Sequence, residues 1–105
     1  MLKYKSWDEV FNISLKENIY ANNGNLAIQM FDWEEGWAEP FAMLTVNLDE
    51  KLPEGYAYVD VNNLDGVGDW IIENGLGEYA GKDRVSGFCI YPLFKFNMDA
   101  VHAHC

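Results

Sequence analysis

The chain has 105 residues and a formal net charge of −10, with seventeen acidic residues against seven basic ones. Half of the residues are hydrophobic and 15% are aromatic, which excludes a disordered chain and is typical of one domain with a buried core. The negative charge argues against direct nucleic-acid binding. No apolar run approaches the roughly 20 residues that span a bilayer, and residues 1–16 lack a signal-peptide layout. We therefore expect a soluble, cytoplasmic protein without membrane association.

The first segment, residues 3–12, carries helix signals. Ser6 and Glu9 have the spacing of a capping box, in which each side chain caps the backbone of the other residue. The apolar residues that follow have the spacing of one helix face: Trp7, Val10 and Phe11. The sequence therefore predicts that a short helix begins here.

Runs rich in β-branched and aromatic residues, bounded by turn residues, predict four strands: 13–21, 25–31, 40–48 and 56–61. The stretch 22–25, Asn-Asn-Gly-Asn, suits a turn because Asn and Gly tolerate positive φ. The strands 25–31 and 40–48 are predicted to be antiparallel, joined by the acidic connection 32–39.

The second half of the chain predicts one helix and one more strand. The helix is expected near residues 67–74, with Asn63 or Asp65 as its cap and Gly75 just past its end. Residues 77–86 are predicted to form a loop. The last strand begins at Gly87, and Pro92 interrupts its hydrogen bonding.

These elements predict an α+β fold with an antiparallel sheet of about five strands and one or two short helices. A single domain is expected over residues 1–97. Residues 98–105 are predicted to be a flexible tail that folding does not require.

Chemical signals for an enzyme are weak. Cys89 lies in an apolar run, and both histidines lie in the predicted tail, so a Cys-His catalytic pair is not expected. His102, His104 and Cys105 could bind a metal ion, but no partner cluster exists elsewhere in the sequence. We predict no enzyme activity, no cofactor and no metal site.

The charge is concentrated in the middle of the chain. Residues 32–78 contain twelve acids and a single base, Lys51, which gives this segment a net charge of −11, while the other residues sum to +1. A surface that gathers these carboxylates would repel nucleic acid and attract basic proteins. It could occupy a site built for phosphates. The alternative is a solvated surface that only keeps the protein soluble.

Two tryptophans flank acids in the connection 32–39. Trp33 and Trp37 could anchor an interface, where tryptophan is favoured, or could pack back over the sheet edge. The predicted partner-binding residues combine this connection with the acids that follow it: Asp32, Trp33, Glu34, Glu35, Trp37, Glu39, Asp49, Glu50 and Glu54.

Five strings in the sequence together resemble a known family: NLAIQ at 25–29, LTVNL at 44–48, VDVNN at 59–63, ENGLG at 73–77 and SGFCIYPL at 86–93. The family consists of small acidic bacterial proteins carried by conjugative elements and phages, and it is catalogued as a domain of unknown function. The resemblance covers roughly residues 10–97 and leaves out the predicted tail. It implies no catalytic residues.

The genetic setting of that family implies a function, because mobile elements carry small acidic proteins that block host restriction or CRISPR nucleases. The leading hypothesis is therefore a non-enzymatic anti-CRISPR or anti-restriction inhibitor whose partner is a host defence protein with a basic groove. The alternative is an accessory protein-binding module whose acidity serves solubility only.

Overall fold

The computed structural model describes residues 1–105, and its ten elements form two antiparallel sheets and two short helices. Sheet 1 has the order β1-β2-β3-β4, and sheet 2 has the order β5-β6-β8-β7. The strands are β1 (Leu2–Ser6), β2 (Glu9–Ile19), β3 (Leu26–Asp32), β4 (Glu39–Met43), β5 (Thr45–Val46), β6 (Tyr56–Val59), β7 (Gly77–Ser86) and β8 (Cys89–Phe96), and the helices are α1 (Val67–Glu73) and α2 (Met98–Ala103). The α+β class predicted from the sequence is confirmed, with eight strands in two sheets.

Both sheets and both helices contribute to one hydrophobic core. Its members include Ile13 and Ile28 from sheet 1, Val59 from sheet 2, Ile71 from α1 and Val101 from α2, all fully buried. In β1, apolar and polar residues alternate, which sends one set of side chains towards this core.

The chain passes from sheet 1 to sheet 2 at Leu44. Its backbone N–H donates to Ile28 O of β3 at 2.9 Å, and its carbonyl accepts from Asp60 N, just past β6, at 3.1 Å. The predicted strand 40–48 is therefore broken into β4 and β5, which belong to different sheets. The buried Leu44 side chain holds this crossing in the core.

The helix predicted within residues 3–12 is wrong, since β1 and β2 form a hairpin there. In β1, Leu2 and Tyr4 are buried while Lys3 and Lys5 are exposed, which is the period of a strand. Ser6 and Glu9 are paired across the turn. Residues that flank a two-residue turn have the same i, i+3 spacing as a capping box, so the spacing alone could not separate the two structures.

The loop predicted over residues 77–86 is also wrong, because these residues form β7. This strand lies at the edge of sheet 2 and is exposed along most of its length, which explains its polar composition. Its pairing with β8 shifts between Tyr79 and Asp83, where Gly81 has φ of 81°. Pro92 lies within β8, directly before Leu93 in the chain. The pairing of β8 with β6 includes Leu93 but not Pro92.

The helix α1 was predicted within one residue of its observed bounds. Its N-cap is Gly66, with φ of 64°, and not Asn63 or Asp65. Gly75 has φ of 67°, as a residue just past a helix end requires.

Residues 98–105, predicted to be a flexible tail, instead contain α2. The side chain of Asn97 caps this helix by accepting a hydrogen bond from Ala100 N at 3.3 Å. Val101 is fully buried, and the carbonyl of His104 accepts from Leu15 N at 2.8 Å. Leu15 lies beyond the end of the β1–β2 pairing, so α2 covers an edge of β2 that would otherwise be free. Neither helix is long and apolar enough to cross a membrane.

Candidate functional site

One end of sheet 1 gathers two connections of the chain. A row of paired residues crosses all four strands at this end: Leu2, Ile13, Asp32 and Glu39. The β1–β2 turn and the connection between β3 and β4 both project beyond this row. We call this region the acidic end, defined by Trp7, Asp8, Glu9, Asp32, Glu34, Glu35, Trp37 and Glu39.

The connection between β3 and β4 is fixed by hydrogen bonds at its start. Trp33 N donates to Asn12 O at 3.1 Å, and Trp33 Nε1 donates to Ser14 Oγ at 2.8 Å. A turn then closes between Trp33 and Gly36, which has φ of 87°. Trp33 therefore packs back against β2 and is half-buried.

Trp37, in contrast to Trp33, is mostly exposed to solvent. Its side chain is 58% exposed, and its Nε1 donates to Glu39 Oε1 at 2.9 Å. Of the two tryptophans predicted as anchors, only Trp37 presents most of its indole to solvent. A partner could therefore bury Trp37, as it could the more exposed Trp7 at the same end.

The carboxylates of the acidic end are not neutralised. In the whole chain, only Glu50 and Glu17 contact a basic side chain within 4.0 Å. Glu34, Glu35 and Glu39 are exposed, and Asp32 and Glu39 face each other across β3 and β4 although like charges in that position repel. The negative field of this end therefore reaches solvent.

The other predicted site residues lie at the far end of β3. Asp49, Glu50 and Glu54 belong to the connection between β5 and β6, which contacts the turn before β3: Asn25 Nδ2 donates to Glu50 O at 2.6 Å. β3 has seven residues, a length of about 20 Å. The structure thus separates the nine predicted residues into two groups.

Glu50 is held by cations rather than presented to a partner. Its carboxylate accepts hydrogen bonds from Lys82 Nζ at 3.0 Å, Tyr58 Oη at 3.0 Å and Arg84 at 2.9 Å. The bonds from Lys82 and Tyr58 are the main causes that hold the pKa of Glu50 below its ordinary value of 4.5. The same contact with Glu50 raises the pKa of Lys82.

This cluster predicts a pH-dependent contribution to stability. Because the folded-state pKa of Glu50 is lowered, its contribution is present above about pH 4.5 and is lost as the pH falls through the lowered pKa. The Glu50→Gln variant should therefore be less stable than the parent at pH 7, and the difference should shrink towards pH 3. Urea unfolding at both pH values measures this. Glu78→Gln, at an exposed carboxylate without a basic contact, is the control, and equal behaviour of the two variants would contradict the prediction.

The sequence reasoning missed Trp7, Asp8 and Glu9 as site residues. It placed them in a helix and did not relate them to residues 32–39. The signal that could have found them is the strict alternation of Leu-Lys-Tyr-Lys-Ser at 2–6, which indicates a strand that must turn at the next residues.

Residues 14–105 match the model of one protein family, described as a domain of unknown function (DUF4313). The chain belongs to the DUF4313 family. The match includes α2, so residues 98–105, which the sequence resemblance left out, lie within the family region. It begins inside β2, so Trp7, Asp8 and Glu9 precede it. No curated protein and no solved structure matches the chain.

The DUF4313 family description assigns no activity, and the side chains point to no metal centre. No group of three or more His, Cys, Asp or Glu side chains is placed to hold a metal ion. His102 contacts Glu17 across the junction of α2 and β2. The arrangement of the acidic end supports binding of a positively charged surface.

Proposed function

We propose that this member of the DUF4313 family is a non-enzymatic inhibitor carried by a mobile genetic element, a conjugative element or a phage. It blocks a host defence nuclease, of the CRISPR or restriction type, by occupying the basic surface that binds nucleic acid. The observation that supports this proposal is the set of unneutralised carboxylates at the acidic end, beside the exposed Trp37.

The basic groove of a nuclease binds the phosphates of nucleic acid. Duplex DNA carries one negative charge per roughly 1.7 Å of its axis, and the groove matches that density with Lys and Arg. Carboxylates without internal counterions, such as Glu34 and Glu35, can take the place of phosphates there. Trp37 would then be buried at the contact, since an aromatic anchor slows dissociation after charges have steered the encounter.

The site proposed now is smaller than the one predicted from the sequence. It keeps Asp32, Glu34, Glu35, Trp37 and Glu39. Trp33 serves the connection's own structure, because its indole N–H is bonded to Ser14. The group of Asp49, Glu50 and Glu54 lies at the other end of β3 and is not part of the proposed site.

A second candidate function is an accessory protein-binding module whose acidity only keeps it soluble. One observation favours it: exposed acids without a basic contact also occur outside the acidic end, among them Glu54, Glu73 and Glu78. The two candidates differ in whether the position of the charge matters or only its total.

Two triple variants with the same change in net charge separate these candidates. The first replaces Glu34, Glu35 and Glu39 with Gln. Gln keeps a side-chain oxygen, so position 34 can still accept from Asn12 N and position 39 from Trp37 Nε1. The second, the control, replaces Glu54, Glu73 and Glu78 with Gln. We expect the parent and the control to inhibit DNA cleavage by a nuclease from a panel of host CRISPR and restriction enzymes.

The first triple variant should associate with that nuclease on the order of tenfold more slowly, since rim charges mainly set the rate of association. Inhibition by the parent should weaken as salt rises, because exposed charges are screened over roughly 8 Å at physiological ionic strength. The proposal fails if no nuclease in the panel is inhibited, if salt has no effect, or if both triple variants inhibit equally.

A further inference from the structure

The β1–β2 hairpin forms one side of a cleft of about 470 Å³ at the acidic end, and β4 forms the other. Six residues line it: Ser6, Trp7, Asp8, Glu9, Phe11 and Phe41. The cleft has the size of an ordinary side-chain or small-ligand site. None of its lining residues is basic, although Lys3 and Lys5 are close in sequence.

The register of the hairpin explains why Ser6, Glu9 and Phe11 line the cleft and the two lysines do not. Tyr4 is paired with Phe11 and Ser6 with Glu9, so these four side chains share the inward face of sheet 1. Lys3 and Lys5 point to the opposite face. The hairpin extends beyond Asp32, the last residue of β3. The inward face of the hairpin is therefore not covered by the core there, and it opens to solvent at this cleft.

The floor of the cleft is aromatic. The rings of Phe11 and Phe41 lie with their centroids 4.8 Å apart, and both side chains are half-buried. The ring of Tyr4, which is buried, supports Phe41 from the core at 6.0 Å. This floor therefore packs against the core on one side while its other side remains accessible.

Trp7 has a position that folding does not explain. It is the first of the two turn residues and the only residue other than glycine with positive φ, at 56°. That conformation is strained for a bulky side chain, and hairpin turns favour Gly or Asn there. The side chain is 84% exposed, so it gains little from burial in return. An unfavourable backbone with an exposed indole is an arrangement that binding can explain.

The charged residues that line the cleft are both acidic. Asp8 and Glu9 are exposed and contact no basic side chain. Aromatic faces attract cations, and carboxylates attract them further. A planar guanidinium suits both, because it stacks on aromatic rings and forms paired hydrogen bonds with carboxylates, which an ammonium group cannot do.

We propose that this cleft binds an arginine side chain of the protein partner, stacked between Trp7 and the Phe11–Phe41 floor and paired with Asp8 and Glu9. The inference rests on the proposed function for the kind of partner, a protein with a basic surface. It adds the residue type that the partner places here. It also assigns binding residues that precede the region matched by the family.

The test uses the whole chain and three short peptides with blocked ends. One peptide has a single arginine between glycine and serine residues, the second has citrulline in place of arginine, and the third has lysine. Citrulline keeps the shape of arginine without the charge. The readout is the NMR signal of the Trp7 indole N–H, followed in the parent and in the Phe88→Ala variant, which changes an exposed aromatic residue between β7 and β8.

We expect a saturable shift with the arginine peptide, with a dissociation constant on the order of millimolar. The lysine peptide should bind several-fold more weakly, and the citrulline peptide at least about tenfold more weakly, because each lacks part of the guanidinium interaction. Phe88→Ala should leave the affinity unchanged. The inference is overturned if arginine causes no saturable shift at about 10 mM peptide, or if citrulline binds as well as arginine.

The Trp7→Asn variant removes the indole from the cleft and keeps a residue that suits the turn. Asn tolerates positive φ, so this variant should melt at or above the temperature of the parent. Its affinity for the arginine peptide, followed by the backbone amide signals of Asp8 and Glu9, should fall at least about fivefold. Unchanged affinity in this folded variant would overturn the inference.

The results also separate this inference from the proposed function. Arginine binding at Trp7 in a protein that inhibits no nuclease would leave the cleft assigned and the inhibitor role refuted. Nuclease inhibition that depends on Glu34, Glu35 and Glu39 but not on Trp7 would refute the cleft and leave the inhibitor role standing.

Discussion

The Val101→Asp variant should lose about 3 kcal/mol of its free energy of unfolding, because a carboxylate cannot be buried without a partner. Val101 is fully buried in the core that both sheets share. To solvate the new charge, α2 must leave β2, which also exposes Met98 and Ala100 and frees the N–H of Leu15. For a domain of this size, that loss corresponds to a fall in melting temperature of about 15 °C.

The control for this prediction is Ala103→Asp, which places the same charge on the exposed side of the same helix. It should cost less than about 1 kcal/mol, mainly through the unfavourable position of a negative charge in the last turn of a helix. Thermal unfolding followed by circular dichroism measures both variants. Melting temperatures within about 2 °C of each other would mean that the segment is undocked, as the sequence alone suggested.

The Asn25→Leu variant should lose about 3 kcal/mol, because Asn25 joins two connections of the chain with its side chain. Asn25 is 4% exposed; its Nδ2 donates to Asn47 Oδ1 at 3.3 Å and to Glu50 O at 2.6 Å, and its Oδ1 accepts from Leu52 N at 2.9 Å. Leucine has a similar size but satisfies none of these groups. Each buried group left without a partner costs about 1–3 kcal/mol.

The matched control is Asn18→Leu, at an exposed position of β2 whose side chain bonds only to the next backbone N–H. It should change the free energy of unfolding by less than about 0.5 kcal/mol. Chemical denaturation of the two variants and the parent gives the comparison. If Asn25→Leu were as stable as Asn18→Leu, the connection between β5 and β6 would be held by its apolar residues, such as Leu48 and Leu52, and not by Asn25.

The sequence was most informative where local signals and burial agree. The run 25–31 has apolar side chains bounded by turn residues, and it became β3 within one residue. The helix α1 and its terminal Gly75 were found for the same reason, since a C-terminal glycine with positive φ is a requirement of the backbone itself.

Local signals failed where two structures share one pattern. The spacing of Ser6 and Glu9 fits both a helix cap and a hairpin turn, and only pairing with a neighbouring strand decides between them. The polar residues of β7 have the composition of a loop, because an edge strand needs no apolar faces over most of its length. α2 is too short to be stable alone, so its existence depends on the β2 surface that it covers.

The sequence by itself determined the α+β class, the negative charge and the acidic connection at 32–39. These depend on composition and on residues that are neighbours in the chain. The tertiary structure alone decided which carboxylates remain free, because Lys82 and Arg84 reach Glu50 from more than thirty positions away. It also brought Trp7, Asp8 and Glu9 to the same end as Glu34 and Trp37. Strand register decides which residues far apart in the sequence become neighbours. The register is fixed only when both sheets close around a common core.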